Sequence, residues 1–344
     1  MNIQENISLA PFNSFGIDVA ARFYSQINDI SDLRLLLQEQ KEHPLFILGG
    51  GSNMLLTQDL PSHVIHICNK GIEIVQDTEN YSIVEIAAGE NWHELVLWAI
   101  KNNLGGIENL ALIPGSVGAA PIQNIGAYGV ELKDSFVSCK ALHIESLKEI
   151  ELSRDACEFS YRSSIFKTSA KGQYVILSIQ LKLFKPPHTI KNQYDDITQT
   201  IEKLYPDTTN TTISQVAKAV IHIRSLKLPD PKNLGNSGSF FKNPILERKS
   251  FEAFKLVWPE APYYELDGSQ FKVPAGWLIE KAGLKGHREG AVGVHTNQAL
   301  VLVNYGGASG MEVINLAQKV MDAVFEKFNI RLEPEVNIIP PHHF

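Results

Sequence analysis

The chain has 344 residues, of which 44% are hydrophobic and 20% charged, and its formal net charge at pH 7 is -7. This length suggests two or three domains at about 150 residues each, with a composition typical of a soluble globular protein. The net negative charge argues against general attraction to nucleic acid, though a local basic pocket can still hold a phosphorylated small molecule. No uncharged apolar run reaches the roughly 18 residues that membrane insertion needs.

The first residues, Met1 to Asn6, lack the basic and apolar regions of a signal peptide, so a cytoplasmic location is expected. Cys68, Cys139 and Cys157 are odd in number and far apart in sequence, which fits buried, reduced thiols and neither a disulfide framework nor a CxxC metal site. Nothing in the sequence calls for an oligomer, and a monomer is the default.

In chain order, the apolar Phe46-Ile47-Leu48 reads as a strand and is followed by Gly49-Gly50-Gly51-Ser52-Asn53. Glycines in such a run let successive N–H groups approach an anion with no Cβ in the way. A dinucleotide fingerprint of the GxGxxG kind would enter a helix, whereas here Leu55-Leu56 runs quickly to Pro61. The run is therefore a loop nest for phosphate or a plain turn. His63 and His66 flank the strand-like Val64-Ile65; three residues apart on a strand they face opposite sides, and no metal site is expected.

Residues 82–88 read as a strand, and the stretch from Gly89 to Ile100 turns helical after its start. From Gly105 to Gly129 glycines recur among small and amide residues, so the segment cannot stay regular for long. Its centre, Pro114-Gly115-Ser116-Val117-Gly118-Ala119-Ala120-Pro121-Ile122-Gln123-Asn124-Ile125-Gly126-Ala127-Tyr128-Gly129, can line an extended ligand with backbone or simply pack tightly. Long loops inside compact domains are usually functional, and two nests imply a ligand with two ends, such as a dinucleotide.

Between Phe136 and Phe184 short runs such as residues 141–144 and 174–179 predict strands. Pro186-Pro187 breaks the chain, a polar stretch follows through Tyr194, and residues 213–220 predict a helix. The run Asn236-Ser237-Gly238-Ser239-Phe240-Phe241-Lys242-Asn243-Pro244 sets a hydroxyl, a cation and amides around one glycine. Taken alone it is a tight polar turn as readily as a reaction centre. Helices are expected over 275–282 and, from the spacing of Val313, Leu316, Ala317, Val320 and Val324, along one long amphipathic segment; strands are expected over 299–304 and 336–339.

Asn13-Ser14-Phe15-Gly16-Ile17, the GGGSN run, the 114–129 loop, Tyr161-Arg162-Ser163-Ser164, Lys227-Leu228-Pro229-Asp230-Pro231, the GSFFKNP run at 238–244 and Leu332-Glu333-Pro334-Glu335-Val336 stand in one order along nearly the whole chain. In that order and spacing the sequence resembles the UDP-N-acetylenolpyruvoylglucosamine reductases, the MurB flavoproteins of peptidoglycan precursor synthesis. It is similar to their longer type, since the segment carrying Tyr194 is present.

The resemblance implies an α+β chain. An FAD-binding domain of the vanillyl-alcohol-oxidase (PCMH) type would span 1–205, in lobes of about 1–65 and 66–205. A smaller substrate-binding domain over 206–325 and a C-terminal segment, 326–344, carrying Glu335 would follow. FAD would be held without a covalent link, because no His or Cys adjoins the GGGSN turn. Its expected contacts are Gly49, Gly50, Gly51, Ser52 and Asn53, and Pro114, Gly115, Ser116, Gly118, Ala119, Gln123, Asn124, Gly126, Ala127, Tyr128 and Gly129.

The implied reaction is reduction of a UDP-sugar enolpyruvyl ether by NADPH through FAD. Hydride on the terminal carbon builds an enolate beside a carboxylate, a charge that must be stabilised and then protonated. Arg162 offers a permanent planar cation. Glu335, if kept protonated, offers a hydrogen-bond donor, and Ser239 stands as the proton donor. Glu333 and Ser237 are the bland neighbours, and Lys242 can equally face solvent. Tyr161, Tyr194, Lys227, Asn243, Lys285 and Gln298 match substrate-contact positions of the family. A flavin oxidase or dehydrogenase acting on another small acid, and a nucleotide-sugar sensor without turnover, are the competing readings.

Overall fold

The computed structural model describes residues 2–39, 42–192, 195–266 and 268–344. The chain forms two compact units: Met1–Ile7, Ala21–Gly50 and Leu60–Ser225 make the first, and Ser8–Ala20, Gly51–Asp59 and Leu226–Phe344 the second.

In the first unit, Ala20–Ile27, Leu60–Ile67 and Leu45–Leu48 lie side by side as parallel strands, with Gln4–Ser8 on the outer edge. Short apolar strands buried in the centre of such a sheet account for the β-branched and apolar run around Val64 and Ile65. His63 is fully buried and bonds Ser25, while His66, on the opposite side, bonds Tyr24. A second sheet is antiparallel, in the order Glu149–Ser153, Phe136–His143, Tyr174–Phe184, Tyr81–Ala87, Ile72–Asp77.

Helix Trp92–Lys101 starts where the Asn91 side chain accepts the Glu94 N–H, and it buries Trp92, Leu95, Val96 and Ala99 at helical spacing. Helix Ile213–Lys227 buries Val216, Ala217, Val220 and Ile223 in the same apolar core. Its residues through Ser225 accordingly belong to the first unit.

In the second unit, Gly235–Asn236, Leu302–Asn304, Val292–Val294 and Arg288–Glu289 form one antiparallel sheet in that order, and Ile245–Glu247, Gln270–Lys272 and Tyr264–Glu265 another. Met54–Leu56 pairs in parallel with the terminal strand Asn337–Ile339. The strand expected over 299–304 is shorter, Leu302–Asn304, because Val301 N–H turns back onto the Gln298 carbonyl at 3.0 Å. Helix Gly310–Phe328 opens with a Ser309/Glu312 capping box and ends at left-handed Asn329.

All three cysteines are free; Cys139 and Cys157 are buried, but Cys68, expected buried as well, is half-buried just past the end of strand Leu60–Ile67. Among the described residues no helix is long and apolar enough to cross a membrane.

Candidate active site

In the first unit two glycine turns press together, main chain on main chain. A Cβ on Gly50 would lie 2.6 Å from both Gly115 Cα and Ser116 N, and one on Gly49 would lie 2.7 Å from Ser116 Oγ. Ser116 Oγ instead accepts the Gly50 N–H at 3.1 Å. The longer loop is laid along the residues before helix Trp92–Lys101: Trp92 N–H bonds Gly115 O at 3.0 Å, Val117 N–H bonds Glu90 O at 2.8 Å and Gly118 N–H bonds Ala88 O at 2.8 Å. A Cβ on Gly118 would meet Ala88 Cβ at 2.5 Å. The glycines are thus required by the packing of one turn on the other, with Ser116 as the one polar side chain between them, and turns built so largely of main chain also allow the close backbone approach that the diphosphate of a dinucleotide needs.

The loop continues through a short 3-10 helix, Val117–Gln123, to Asn124, whose φ is 45°. Asn124 spends its whole amide on the protein, donating to Glu131 Oε2 and Ser160 O and accepting from Lys133 N–H. It therefore shapes the loop with its side chain, leaving only main chain for a ligand. Gln123 is partly engaged by Lys167, at 3.5 Å.

Arg162 sits at the tip of a tight turn closed by reciprocal bonds between Ser160 and Ser163, of 3.1 and 3.2 Å. Its φ of 54° is a left-handed conformation that a long side chain seldom adopts, and such strain collects at functional positions. Its Nη2 donates to Gly126 O at 2.7 Å, and its guanidinium lies 5.4 Å from the Tyr161 ring centroid. Gly126 makes room for it: a Cβ there would come 3.0 Å from Arg162 Nη1.

The second unit holds the other half of the expected machinery. Asn13 is buried and ties its loop by donating to Leu9 O and Ile17 O and accepting from Ile17 N–H. Around it, Ser14 N–H bonds Gly51 O at 3.0 Å, and Gly51 has a φ of 61° with Phe12 O only 1.9 Å from where a Cβ would stand. No other residue fits at Gly51. The NSFGI motif is thus the brace for the end of the GGGSN run, and it also holds the serine run: Asn236 N–H bonds Ser14 O at 2.9 Å, and Phe15 meets Phe240 edge-on at 6.3 Å.

Within the serine run, Asn236 Oδ1 accepts the Gly238 N–H at 2.9 Å, an Asx turn, and Gly238 has a φ of 70°. Phe240 and Phe241 are buried anchors. Between them and the glycine, Ser239 is half-buried and makes no hydrogen bond from its hydroxyl among the described residues. The run then pairs with the glutamate motif, with Phe240 O accepting from Glu335 N–H at 2.8 Å and Lys242 N–H bonding Glu333 O at 2.9 Å. Lys242 Nζ closes on Glu333 Oε2 at 3.0 Å, so this lysine is held by the exposed glutamate. Asn53 Nδ2 donates to Glu335 O at 3.4 Å, linking the glycine run to the same place. Ser237 is buried, and its hydroxyl has no partner among the described residues.

Asn243 and Gln298 both lie at the start of helix Ala275–Lys281. Asn243 Oδ1 accepts the Ala275 N–H at 2.9 Å, and a Cβ on Gly276 would touch Gln298 Oε1 at 2.9 Å. Lys285 is exposed and paired with Glu280 at 3.0 Å, and Lys227 ends its helix on the surface. Tyr194 lies outside the described residues.

Arg224 is a residue that the sequence reading passed over. It stands one turn after Val220 and two after Ala217, on the apolar stripe of helix Ile213–Lys227, and a charge on such a stripe was the available signal. Burial pushes its pKa down; Tyr128 partly offsets this, and the nearby Arg162 charge adds to it. Its Nε donates to Leu112 O at 3.3 Å, while Leu112 N–H is taken by Nδ1 of His93, a ring that burial keeps below the usual histidine range.

Comparison with known proteins agrees with this anatomy. An FAD binding domain matches residues 22–144, and the C-terminal domain of UDP-N-acetylenolpyruvoylglucosamine reductase matches residues 230–339. The chain is 51% identical over 339 residues to the UDP-N-acetylenolpyruvoylglucosamine reductase of Flavobacterium johnsoniae, covering 98% of this chain and 100% of that one. Against the reductase of Amoebophilus asiaticus the identity is 48%, with 98% and 100% covered. The crystal structure of the Thermus caldophilus enzyme (MurB) shares the fold, with a TM-score of 0.69 at 22% identity over 98% of this chain and 99% of that one. With its FAD-binding domain followed by the reductase C-terminal domain, the chain belongs to the UDP-N-acetylenolpyruvoylglucosamine reductase family.

Proposed function

We propose that this protein reduces UDP-N-acetyl-3-O-(1-carboxyvinyl)glucosamine to UDP-N-acetylmuramate with NADPH, in the cytoplasm, as a step of peptidoglycan precursor synthesis. The observation that carries the reading is the main-chain pairing of Phe240 with Glu335, which sets Ser239 and Glu335 in one place on the second unit. FAD, held without a covalent bond, would supply the two-electron redox chemistry that links NADPH to the enolpyruvyl double bond.

The chain's own residues handle the charge that this creates. Arg162 holds the substrate carboxylate with its planar donor fork and offsets the enolate. Glu335, in its protonated form, donates a hydrogen bond to the same developing charge. Ser239 gives its proton to the carbon beside the carboxylate, which completes saturation of the double bond and leaves the D-lactyl ether. An unengaged, half-buried hydroxyl is the state such a donor needs.

The glycine cradle of Gly49, Gly50, Gly115 and Ser116 receives the diphosphate of FAD. Tyr161, Tyr194, Lys227, Asn243, Lys285 and Gln298 bind the UDP-sugar, the lysines neutralising its diphosphate and the amides bonding the sugar. We assign FAD to the domain over about 1–205 and the greater part of the UDP-sugar binding to the domain over 206–325, in a chain that binds no nucleic acid and for which a monomer is the default.

Purification tests this directly. The protein should be yellow, release FAD on denaturation, and convert the UDP-enolpyruvyl sugar to a product heavier by two hydrogens at the expense of NADPH. A colourless protein that FAD cannot reconstitute would overturn the reading. Rapid reoxidation by oxygen with no preference for a UDP-sugar would favour an oxidase instead.

A further inference from the structure

Cys139 and Cys157 take no part in the chemistry above, yet they lie against each other. Cys139 is on the inner strand Phe136–His143, opposite Leu152 on one side and Ile179 on the other. Cys157 follows strand Glu149–Ser153 in a tight turn, with its N–H on Ser153 O at 3.1 Å. Arg154 N–H bonds Val137 O at 3.0 Å and folds that turn back over the inner strand. Both side chains are fully buried in the core of the first unit, where the Cys139 thiol donates a hydrogen bond to Cys157 Sγ. This bond holds the Cys157 thiol below the usual thiol range against burial, which raises it, and together with burial it pushes the Cys139 thiol up. One sulfur of the pair is thus set as nucleophile and the other as its partner. Cys68 stands apart, near Lys70 and Tyr24.

Cys157 is one layer from solvent. Asp155, Ala156 and Glu158 around it are exposed, and Arg154, Asp155, Glu158 and Phe159, with Lys133 and Lys191, line a cavity of about 690 Å³. A polar cleft of this size admits a small oxidant as far as the turn. The same turn carries the arginine loop, because Cys157 O accepts the Ile165 N–H at 3.0 Å and so closes the segment that runs through Ser160 and Ser163. Glu158, directly after the thiol, has a φ of 47°, so the foot of this loop is left-handed as is its tip at Arg162. Movement at Cys157 therefore has a short covalent path to the guanidinium.

We propose that Cys139 and Cys157 form a redox-modification site: peroxide closes them into a disulfide that shifts the foot of the arginine loop and suspends substrate reduction until a thiol reductant reopens it. The loss of turnover rests on the proposed reaction; the disulfide does not. First the Cys157 sulfur attacks hydrogen peroxide: an S–O bond forms, the O–O bond breaks, and the released hydroxide leaves as water with the thiol proton, giving a sulfenic acid. The Cys139 sulfur then attacks that sulfur, the S–O bond breaks and a second water leaves. Two thiols have given up two electrons and two hydrogens, and the peroxide has become two waters. Cys139 is held between two hydrogen-bonded strands, so the sulfur that moves is that of Cys157, and its turn moves with it. In a reducing compartment such a pair rests as thiols and closes transiently, which is the usual behaviour of redox-sensing cysteines.

The test is treatment of the purified holoenzyme with hydrogen peroxide, followed by non-reducing peptide mapping and stopped-flow measurement of both half-reactions. The wild type should lose two hydrogens, show the Cys139 and Cys157 peptides joined, and keep Cys68 as a thiol. Reduction of FAD by NADPH should hold its rate, while substrate reduction falls by about tenfold or more, the scale for a misplaced binding group, and returns on adding dithiothreitol. Cys157→Ala should match the untreated wild type and stay active in peroxide; if it is insoluble, Cys139→Ala carries the same readings. Three free thiols after treatment, or oxygen retained on a single cysteine, overturns the proposal. A joined pair with unchanged turnover overturns it too, as does a Cys157→Ala variant inactivated as fast as the wild type. Failure of the underlying reading looks different, since the peptides would then join in a protein with no UDP-sugar reduction to lose.

Discussion

The main-chain N–H of Glu335 donates to the carbonyl of Phe240 at 2.8 Å, so Glu335 is fastened by backbone to the residue that follows Ser239. Phe240 is itself fixed, its N–H bonded to Leu300 O at 2.8 Å and its ring fully buried. The position of Ser239 therefore owes nothing to its own hydroxyl.

This makes Ser239→Ala a clean deletion. The variant should fold, bind FAD and let NADPH reduce it at the wild-type rate, while substrate reduction falls by about 10²–10⁴, the range for loss of a general acid. Stopped-flow measurement of the two half-reactions separates them. Equal slowing of both would make the serine structural.

Ser237, two residues earlier, should behave in the opposite way. Its hydroxyl is buried with no partner among the described residues, so it carries a desolvation penalty that no bond repays. Ser237→Ala should leave both half-reactions intact and keep or slightly raise the thermal midpoint. A drop of several degrees would mean that the hydroxyl has a partner, such as a bound water.

Much of this site was legible in the chain because its motifs are built from residues with special backbone needs. Gly51 and Gly238 both adopt positive φ, and Gly50 faces another backbone, so the glycine runs announce turns and cradles. The arginine turn was legible as a motif but not as a strained one, since nothing in Tyr161-Arg162-Ser163 requires a positive φ at the arginine. The amides were harder: Asn124, expected to touch FAD, bonds the protein with its side chain, and Asn13 and Asn236 likewise close loops. An amide side chain imitates the backbone, and only the folded partners tell whether it bonds chain or ligand. Arg224 was missed because its meaning depends on Leu112, Tyr128 and Arg162, distant in sequence.

The structural part of Asn243 can be separated from the binding part proposed for it. Its Oδ1 accepts the Ala275 N–H at 2.9 Å and so satisfies one of the orphan donors at the start of helix Ala275–Lys281. Asn243→Ala should cost about 0.5–2 kcal/mol, the usual price of a lost cap. Asn243→Asp keeps the acceptor but removes the amide donor proposed to bond the sugar and adds a negative charge there. Its stability should match the wild type while KM for the UDP-sugar rises at least tenfold. If KM is unchanged in the Asp variant, the residue is a cap and nothing more.

Acid should weaken the fold in a window set by buried histidine. His63 is fully buried, its Nε2 lies 2.9 Å from Ser25 Oγ, and its Nδ1 has no partner among the described residues. Desolvation, reinforced by the nearby His43, holds its pKa below the ordinary 6.5. A group whose pKa is lowered by folding takes up its proton more readily when unfolded. Its contribution to stability is thus complete above pH 6.5 and is lost as pH falls through the lower folded value. His66 and His93, also lowered by burial, act in the same direction. Urea midpoints should fall between pH 7.5 and 5, with a slope of at most about 1.4 kcal/mol per pH unit for each proton involved. His63→Leu, which cannot titrate, should show a shallower fall over that range. An identical slope in the variant would remove His63 from the acid response, and a stability that rose on acidification would contradict the neutral state of all three rings.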